Sequence, residues 1–588
     1  MKIQRSPILL AVCIGATSLG LTACGGSSRP PISIALSTAP PANMQTGTPA
    51  PVTATVTNDS SNAGVDWSAT CGSAGACGSF SSAHTASGTA TTYTAPAAVP
   101  TGNSVTITAT STADKSKSVP ATVTITPPPR LAAGNYVFNL VGLEEPSGNP
   151  YSVAGVFTSD GNGNITGGEQ DFDNLSFTAF NAISGGSSTI GPDGRGTITL
   201  NTGNTSVGVN GTETIDFALV NGGMQGFVTE FDSFGSASGA LSLQTVTSFS
   251  SSTLTQGFAF AMLGEDFSGF PLTWGGVLNV DSPGGISGAG SVSDEDDAGL
   301  TSLSQTISGT VASPDSFGRV TFSVNPAFAS GVTISGYISD ASHVALVETD
   351  GVLGVTGGAA MGQGAGTGTF NNSSLNGTVV FNGGGADPAG DLAAAGLVTA
   401  DGAGNIRNGI LDVESAGTPT TAPTSGTYAV DASGTGRGVI TLNSNATGLT
   451  TFVTYLVGGG NPAFVLNMDS TSLTSGLAFA QSGAFTASTF KGSYGLGWQN
   501  PARSATGQIA SDGASTVSGH EDVNFVGTPV SGLVFTGTFT ANSNGQFPVV
   551  ITSISPQESF DFFLASGSLG VFIETDANGQ IVGIFVLQ

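Results

Sequence analysis

Basic residues are what this chain has least of. Its 588 residues include 12 Lys and Arg against 39 Asp and Glu, a formal net charge of −27. That balance excludes nucleic acid and anionic membrane surfaces as partners, since both need basic patches. Charge of either sign is sparse at 9%, and no long stretch of Glu, Lys, Ala and Leu occurs, which excludes long helices. The three histidines, His84, His343 and His520, lie in separate segments with no pair at ligand spacing, so no zinc site is expected. The four cysteines form no Cys-x-x-Cys or haem-attachment pattern. A Gly-x-Ser-x-Gly elbow in a strand–turn–helix setting, a phosphate loop and a dinucleotide fingerprint are also missing. Glycine-rich strings such as 362–368 have linker composition. No catalytic residue, metal or cofactor is assigned, and the chain reads as a non-enzyme.

What is present is glycine, 88 residues of it, with Pro, placed every 8 to 12 positions between short runs rich in Val, Ile, Phe and Thr. This is the pattern of an all-β protein with many strands. At the N-terminus, Lys2 and Arg5 precede an apolar run from 7 to 21 and the small residues of Leu21-Thr22-Ala23-Cys24. The layout is that of a secretory signal (1–23), and the run is too short for a spanning helix of ~20 residues. Leu21-Thr22-Ala23-Cys24 resembles the lipobox of bacterial lipoproteins. The resemblance implies acylation of Cys24, a tether at 24–31, and an exported chain on the cell envelope. Gly25 and Gly26 follow the cysteine, with no Asp there, which in that family favours the outer membrane, surface-exposed or periplasmic. Cys13 leaves with the signal, so Cys71 and Cys77 remain as a pair in an oxidising compartment. A disulfide is expected.

Between 32 and 127, strands are expected at 32–37, 52–57, 65–69, 91–95, 105–109 and 121–125, as in a β-sandwich. Val65-Asp66-Trp67, Tyr93-Thr94-Ala95-Pro96 and Thr122-Val123-Thr124-Ile125 resemble a bacterial immunoglobulin-like domain, which implies a spacer with Trp67 in its core. Pro127-Pro128-Pro129-Arg130 is a stiff boundary.

Beyond it the sequence repeats four times, at 131–247, 253–365, 368–483 and 487–588. Each copy carries a bulky strand of period two (Tyr136/Phe138, Phe258/Phe260, Val379/Phe381, Tyr494/Leu496). Each has a turn aspartate (Asp160, Asp281, Asp401, Asp512). Next come Gly194-Arg195, Gly318-Arg319, Gly436-Arg437 and, altered, Gly545-Gln546. Then follow Glu230-Phe231-Asp232, Glu348-Thr349-Asp350, Asn467-Met468-Asp469 and Glu574-Thr575-Asp576. A closing strand ends on Gln244, Gln363, Gln481 and Gln588. About eight consecutive strands per copy predict tandem antiparallel up-and-down barrels, each with first and last strands paired. The rival, two propeller blades per copy, needs an internal echo that is not there. If each barrel closes on itself, cuts after Gln244 or Gln363 should leave soluble fragments.

The Asp-Gly turns read as hairpin turns: Asp160-Gly161-Asn162-Gly163-Asn164 misses the calcium-loop pattern at two positions. The Glu-x-Asp pairs read as strand terminators. The repeated Arg points to an ion pair, with its partner open between those Glu and the series Asp171, Asp412, Asp522. Asp294-Glu295-Asp296-Asp297 is expected as a solvated loop and a weak cation site. The whole resembles repeat-bearing surface lipoproteins of Gram-negative bacteria. That implies membrane attachment through lipid and a structural, adhesive or ligand-binding role toward polysaccharide or a surface protein. The alternatives are a hydrolase acting on polysaccharide or peptide, and barrels that hold a small apolar ligand.

Overall fold

The computed structural model describes residues 29–588 except 73–76, 128–129, 251, 444–447, 459–462, 501–502, 555 and 578. The leader and Cys24 lie outside the described residues. The chain divides at Pro128 into two compact units.

In the first unit, alternating residues build two sheets over one core. Ser33–Thr38, Pro49–Thr57, Thr91–Thr94 and Ser79–Phe80 form one sheet. Asn43–Gln45, Ser118–Thr126, Ser104–Ser111, Val65–Cys71 and His84–Thr85 form the other. Along Pro49–Thr57 the residues Ala50, Val52, Ala54 and Val56 turn inward while their neighbours face out, the period-two rule of a half-buried strand. Trp67 is buried, and its indole N–H donates to Thr85 Oγ1 at 3.1 Å. Cys71 and Cys77 form the disulfide, with Cα atoms 5.5 Å apart. The sequence reading missed the three shortest strands, including Asn43–Gln45, which pairs in parallel with Thr124–Thr126 of the closing strand.

The second unit contains four closed antiparallel barrels of eight strands, here barrels I to IV. In each, the first strand pairs with the last: Tyr136 opposite Leu243, Phe258 opposite Gly362, Val379 opposite Ala480 and Tyr494 opposite Leu587. Barrels I and II each have a ninth segment: in I the fourth strand is split into Thr178–Ile183 and Gly186–Ile190, both paired to Asn164–Asn174, and in II the third into Gly285–Ile286 and Val292–Asp297, both paired to Leu300–Val311. Barrel III keeps that strand whole as Thr418–Val430, paired to both neighbours. The bulky period-two residues fill the interiors: Tyr136, Phe138 and Leu140 in I, Phe258, Phe260 and Met262 in II. Each such side chain contributes ~1.5–3 kcal/mol of burial.

The barrels are not independent beads: closure of each barrel on itself leaves an outward apolar face that a neighbour covers. The residues between the bulky ones are also apolar and also buried, against a neighbouring barrel. Ala259, Ala261 and Val277 of II pack on Tyr455, Phe464 and Leu466 of III. Val380, Ala395 and Leu397 of III pack on Phe563, Val571 and Ile573 of IV. Val137, Ala154 and Val156 of I pack on Tyr337 and Val347 of II. Barrel IV returns to barrel I through a polar seam, where Thr229 and Ser236 hydroxyls donate to Ser504 Oγ at 2.7 and 3.1 Å. Gly497 sits so close to Phe227 there that a Cβ would overlap its ring. The four barrels therefore form a ring.

Candidate functional site

Three landmarks recur at the joints of the ring. The closing glutamine of one barrel reaches the Gly-Arg turn of the next. Gln244 Nε2 donates to the carbonyls of Phe317 and Ile338 (2.9 and 2.6 Å), and Gln363 Nε2 to Thr435 and Leu456 (2.7 and 2.8 Å). Gln481 Nε2 donates to Asn544 and Leu564 (both 2.9 Å), and Gln588 Nε2 to Asp193 of barrel I (2.7 Å). The turn glycines Gly194, Gly318, Gly436 and Gly545 all have φ between 79° and 94°. They also have no room for a Cβ beside the incoming amide. Glycine is required there twice over.

The repeated arginine answers an aspartate of the preceding barrel. Arg319 binds Asp171 through Nε (2.6 Å) and Nη2 (2.8 Å), and Tyr337 donates its hydroxyl to the same carboxylate at 2.7 Å. Arg437 binds Asp294 in the same forked way (2.8 and 2.7 Å), with Tyr455 at 2.6 Å. Arg195 reaches Asp522 of barrel IV and, through Nε, Asp193 at 2.8 Å. Burial disfavours the charge on Arg437, but the Asp294 carboxylate outweighs it and holds the guanidinium above its ordinary range. Such two-pronged charged pairs are strong and orientation-specific.

This corrects the reading of the acidic run. Asp294, Glu295, Asp296 and Asp297 belong to the strand Val292–Asp297, not to a solvated loop; Asp294 and Asp296 are fully buried and Glu295 half-buried. Asp294 holds Arg437, and Asp296 accepts the backbone N–H of Gly299 at 2.7 Å. Among the described residues no group of three His, Cys, Asp or Glu is arranged to hold a metal ion.

The joint between III and IV departs from the pattern. Gln546 stands where the others have Arg, and Phe563 where II and III have Tyr. Asp412 of barrel III then faces Asp561 of barrel IV, whose Oδ2 accepts from Gln546 Nε2 at 2.7 Å. Burial first, then the Asp561 carboxylate, push Asp412 up to about 7, against the Thr421 hydroxyl. A second acidic layer lies two residues further along each strand. Asp173 is raised to about 8 by burial and by Glu348 and Asp350 of barrel II. Burial raises Glu414 to about 7. Glu574 goes to about 8 through burial and its neighbours Asp576 and Glu558, with Arg503 opposing. In barrel IV the equivalent residue is Asn524, whose amide donates to the carbonyls of Glu230 and Gly235 at 2.9 and 2.8 Å.

The remaining landmarks hold backbone. Asp160 accepts from the N–H groups of Asn162 and Asn164, Asp281 from Gly285, Asp401 from Ala403 and Asn405, and Asp512 from Ala514 to Thr516. Asp232, Asp350 and Asp469 cap Thr214 and Phe234, Thr333 and Val352, and Thr450 and Thr451. Glu230 is wholly buried with Tyr151 at 3.3 Å; burial, then Asp232 and Glu213, raise it well above the carboxylate range.

Sequence reasoning missed a cavity that lies between barrels. A space of ≈ 280 Å³ on the ring axis is lined by all four barrels, including Val141, Leu263, Phe464 and Trp498. A second space of ≈ 150 Å³ shares Val141, Leu263, Ser238 and Gly384 with it and runs on to Glu265, Asp391 and Asn500. The interiors of barrels III and IV hold smaller spaces of ≈ 90 and ≈ 140 Å³. The only signal was the small or apolar outward residues on each first strand.

No family model matches the chain, and no curated protein matches it. Among solved structures, the vaccine antigen transferrin-binding protein B (TbpB), a double mutant from Haemophilus parasuis, aligns over 85% of this chain and 81% of its own, at 9% identity and a TM-score of 0.13. A likeness that slight carries neither fold nor function.

Proposed function

We propose that this is a lipid-anchored protein of the bacterial cell envelope, outer-membrane in placement, with a non-catalytic, ligand-binding or structural role. Cys24 carries the lipid, the first unit serves as an immunoglobulin-like spacer, and the barrel ring is the body presented to polysaccharide or a surface protein. The observation that carries the reading is the use made of the repeated polar residues. The closing Gln, the Arg–Asp pairs and the turn and capping aspartates each hold one barrel to itself or to the next, as befits a scaffold. Lipid attachment rests on Leu21-Thr22-Ala23-Cys24 after the apolar run.

Membrane fractionation of the wild type and Cys24→Ser tests the anchor, with the variant expected in the soluble fraction; retention on membranes would refute it. A hydrolase panel on polysaccharide and peptide substrates tests the rest. Turnover that one point mutation abolishes would replace the scaffold with the hydrolase reading. The reading of barrels as containers for an apolar ligand moves from their filled interiors to the ring axis.

A further inference from the structure

We infer that the axial cavity is a binding site for a single-chain apolar molecule with a cationic ammonium head, its chain along the ring axis and its head between Glu265 and Asp391. This deepens the ligand-binding reading above and rests on it. Four features carry it. First, the site is built by the closed ring, because each barrel contributes outward residues of its first and last strands. Second, its wall is chiefly apolar, apart from Ser238, Ser475 and the indole N–H of Trp498. The two axial asparagines spend their polar atoms on neighbouring strands: Asn139 Nδ2 donates to Gly358 O and its Oδ1 accepts from Ala240 N. Asn382 does the same with Gly583 O and Leu477 N. Ordered water needs two to four polar partners, and this lining is chiefly Gly, Ala, Val, Leu, Phe and Met.

Third, the mouth is acidic. Glu265 of barrel II and Asp391 of barrel III line the outer space, Asn500 donates to Asp391 Oδ2 at 3.4 Å, and among the described residues no Lys, Arg or His is on either wall. A carboxylate-headed chain would be repelled there and an ammonium head held. Burial, with Asp266 and Asp391 nearby, raises Glu265 to about 7, so an incoming cation would displace its proton. Fourth, the turn between Glu265 and Pro271, both on the wall, exposes Phe267 and Phe270 by 49% and 56%. That gives the entrance an apolar lip.

The test is calorimetric titration of the full chain with dodecyltrimethylammonium below its micelle concentration, beside dodecanoate and dodecyl maltoside. The cation is expected to bind at least tenfold more tightly than the carboxylate and, at pH 6.5, to release protons. Val141→Phe with Leu263→Phe should fill the axis and weaken binding at least tenfold, with circular dichroism and melting temperature retained. That variant keeps every charge, so cation adsorbed on the acidic surface would survive it. Glu265→Gln with Asp391→Asn should leave the chain bound and cut the preference for the cation below threefold. Equal binding of dodecanoate, undiminished binding by the filled variant, or no binding of any chain would overturn the inference. None of those results touches the scaffold reading, which fails only on hydrolytic turnover.

Discussion

Gln588 donates its side-chain amide to the carbonyl of Asp193, 2.7 Å away in space and 395 positions earlier in the chain. Gln244, Gln363 and Gln481 do the same one barrel on from their own, so this contact makes barrel IV the neighbour of barrel I. The ring's stability follows from such joints and is open to direct measurement.

The ring should weaken as pH rises. Asp173 and Glu574 at about 8, and Glu348, Asp412 and Glu414 at about 7, are all raised above their unfolded values, chiefly by burial. A raised carboxyl favours the fold fully below its unfolded pKa of ~4 and loses that contribution as pH climbs through the folded value. Asp401 and Asp512 are lowered by backbone donors and act oppositely, their contribution fading as pH falls below ~4. Scanning calorimetry should find the second unit melting roughly 5–10 °C higher at pH 5 than at pH 8.5. A flat profile would mean those carboxyls are solvated.

Gln546→Arg should repair the odd joint. A guanidinium there would meet Asp412 and Asp561, as Arg195 meets Asp522 and Asp193 at the next joint. Melting temperature should rise at pH 8.5 more than at pH 5, narrowing the pH effect. Equal change at both pH values would show that Asp412 does not feel the new charge.

Arg437→Met should leave Asp294, wholly buried, without its counter-ion. Breaking a buried pair from one side costs about 3–5 kcal/mol. Adding Asp294→Leu should recover most of that loss, measured by urea unfolding followed by tyrosine and tryptophan fluorescence. A double variant as unstable as the single one would mean the pair adds stability beyond its packing.

A fragment ending at Gln363 should associate with itself. It would bare Ala259, Ala261, Val277 and Val292, which pack on barrel III in the ring. Exposed apolar patches of that kind drive association. Sedimentation velocity is expected to show oligomers, and a stable monomer would return the barrels to independence.

Much of the barrel was legible in the sequence because its causes are local. Period-two bulky residues, turn aspartates and the closing glutamines each act within one strand or hairpin. The joints were hidden because their partners are a whole repeat apart: the sequence offered Asp171, Asp412 and Asp522 as partners for the repeated Arg, but not that Asp171 and Asp522 meet the Arg of the following barrel. Asp294 escaped for a further reason. Asp171 and Asp412 lie eleven positions after Asp160 and Asp401, but Asp294 lies thirteen after Asp281, and its neighbours are Asp and Glu. Four acids in a row have low strand propensity, which pairing with Trp274 and its neighbours on 272–277 overrides. The ring axis left no motif at all: Gly, Ala and Val facing outward look like a bare surface until three other barrels cover it.

The seam from barrel IV to barrel I adds hydrogen bonds of Ser504, Thr229 and Asn524, where the other three joints add apolar clusters to their glutamine contacts. Similar locks repeated around a ring leave a chain at risk of concatenation, its last barrel capturing the first barrel of another molecule or skipping a place in its own. A polar seam acts as an address. It is poorly matched to the greasy flanks of II and III, and it is kept from other molecules by the high effective concentration of two ends on one chain. Swapped dimers are therefore expected first in variants that make Ser504 or Asn524 apolar, since those changes erase a difference by which the final barrel knows where the circle began.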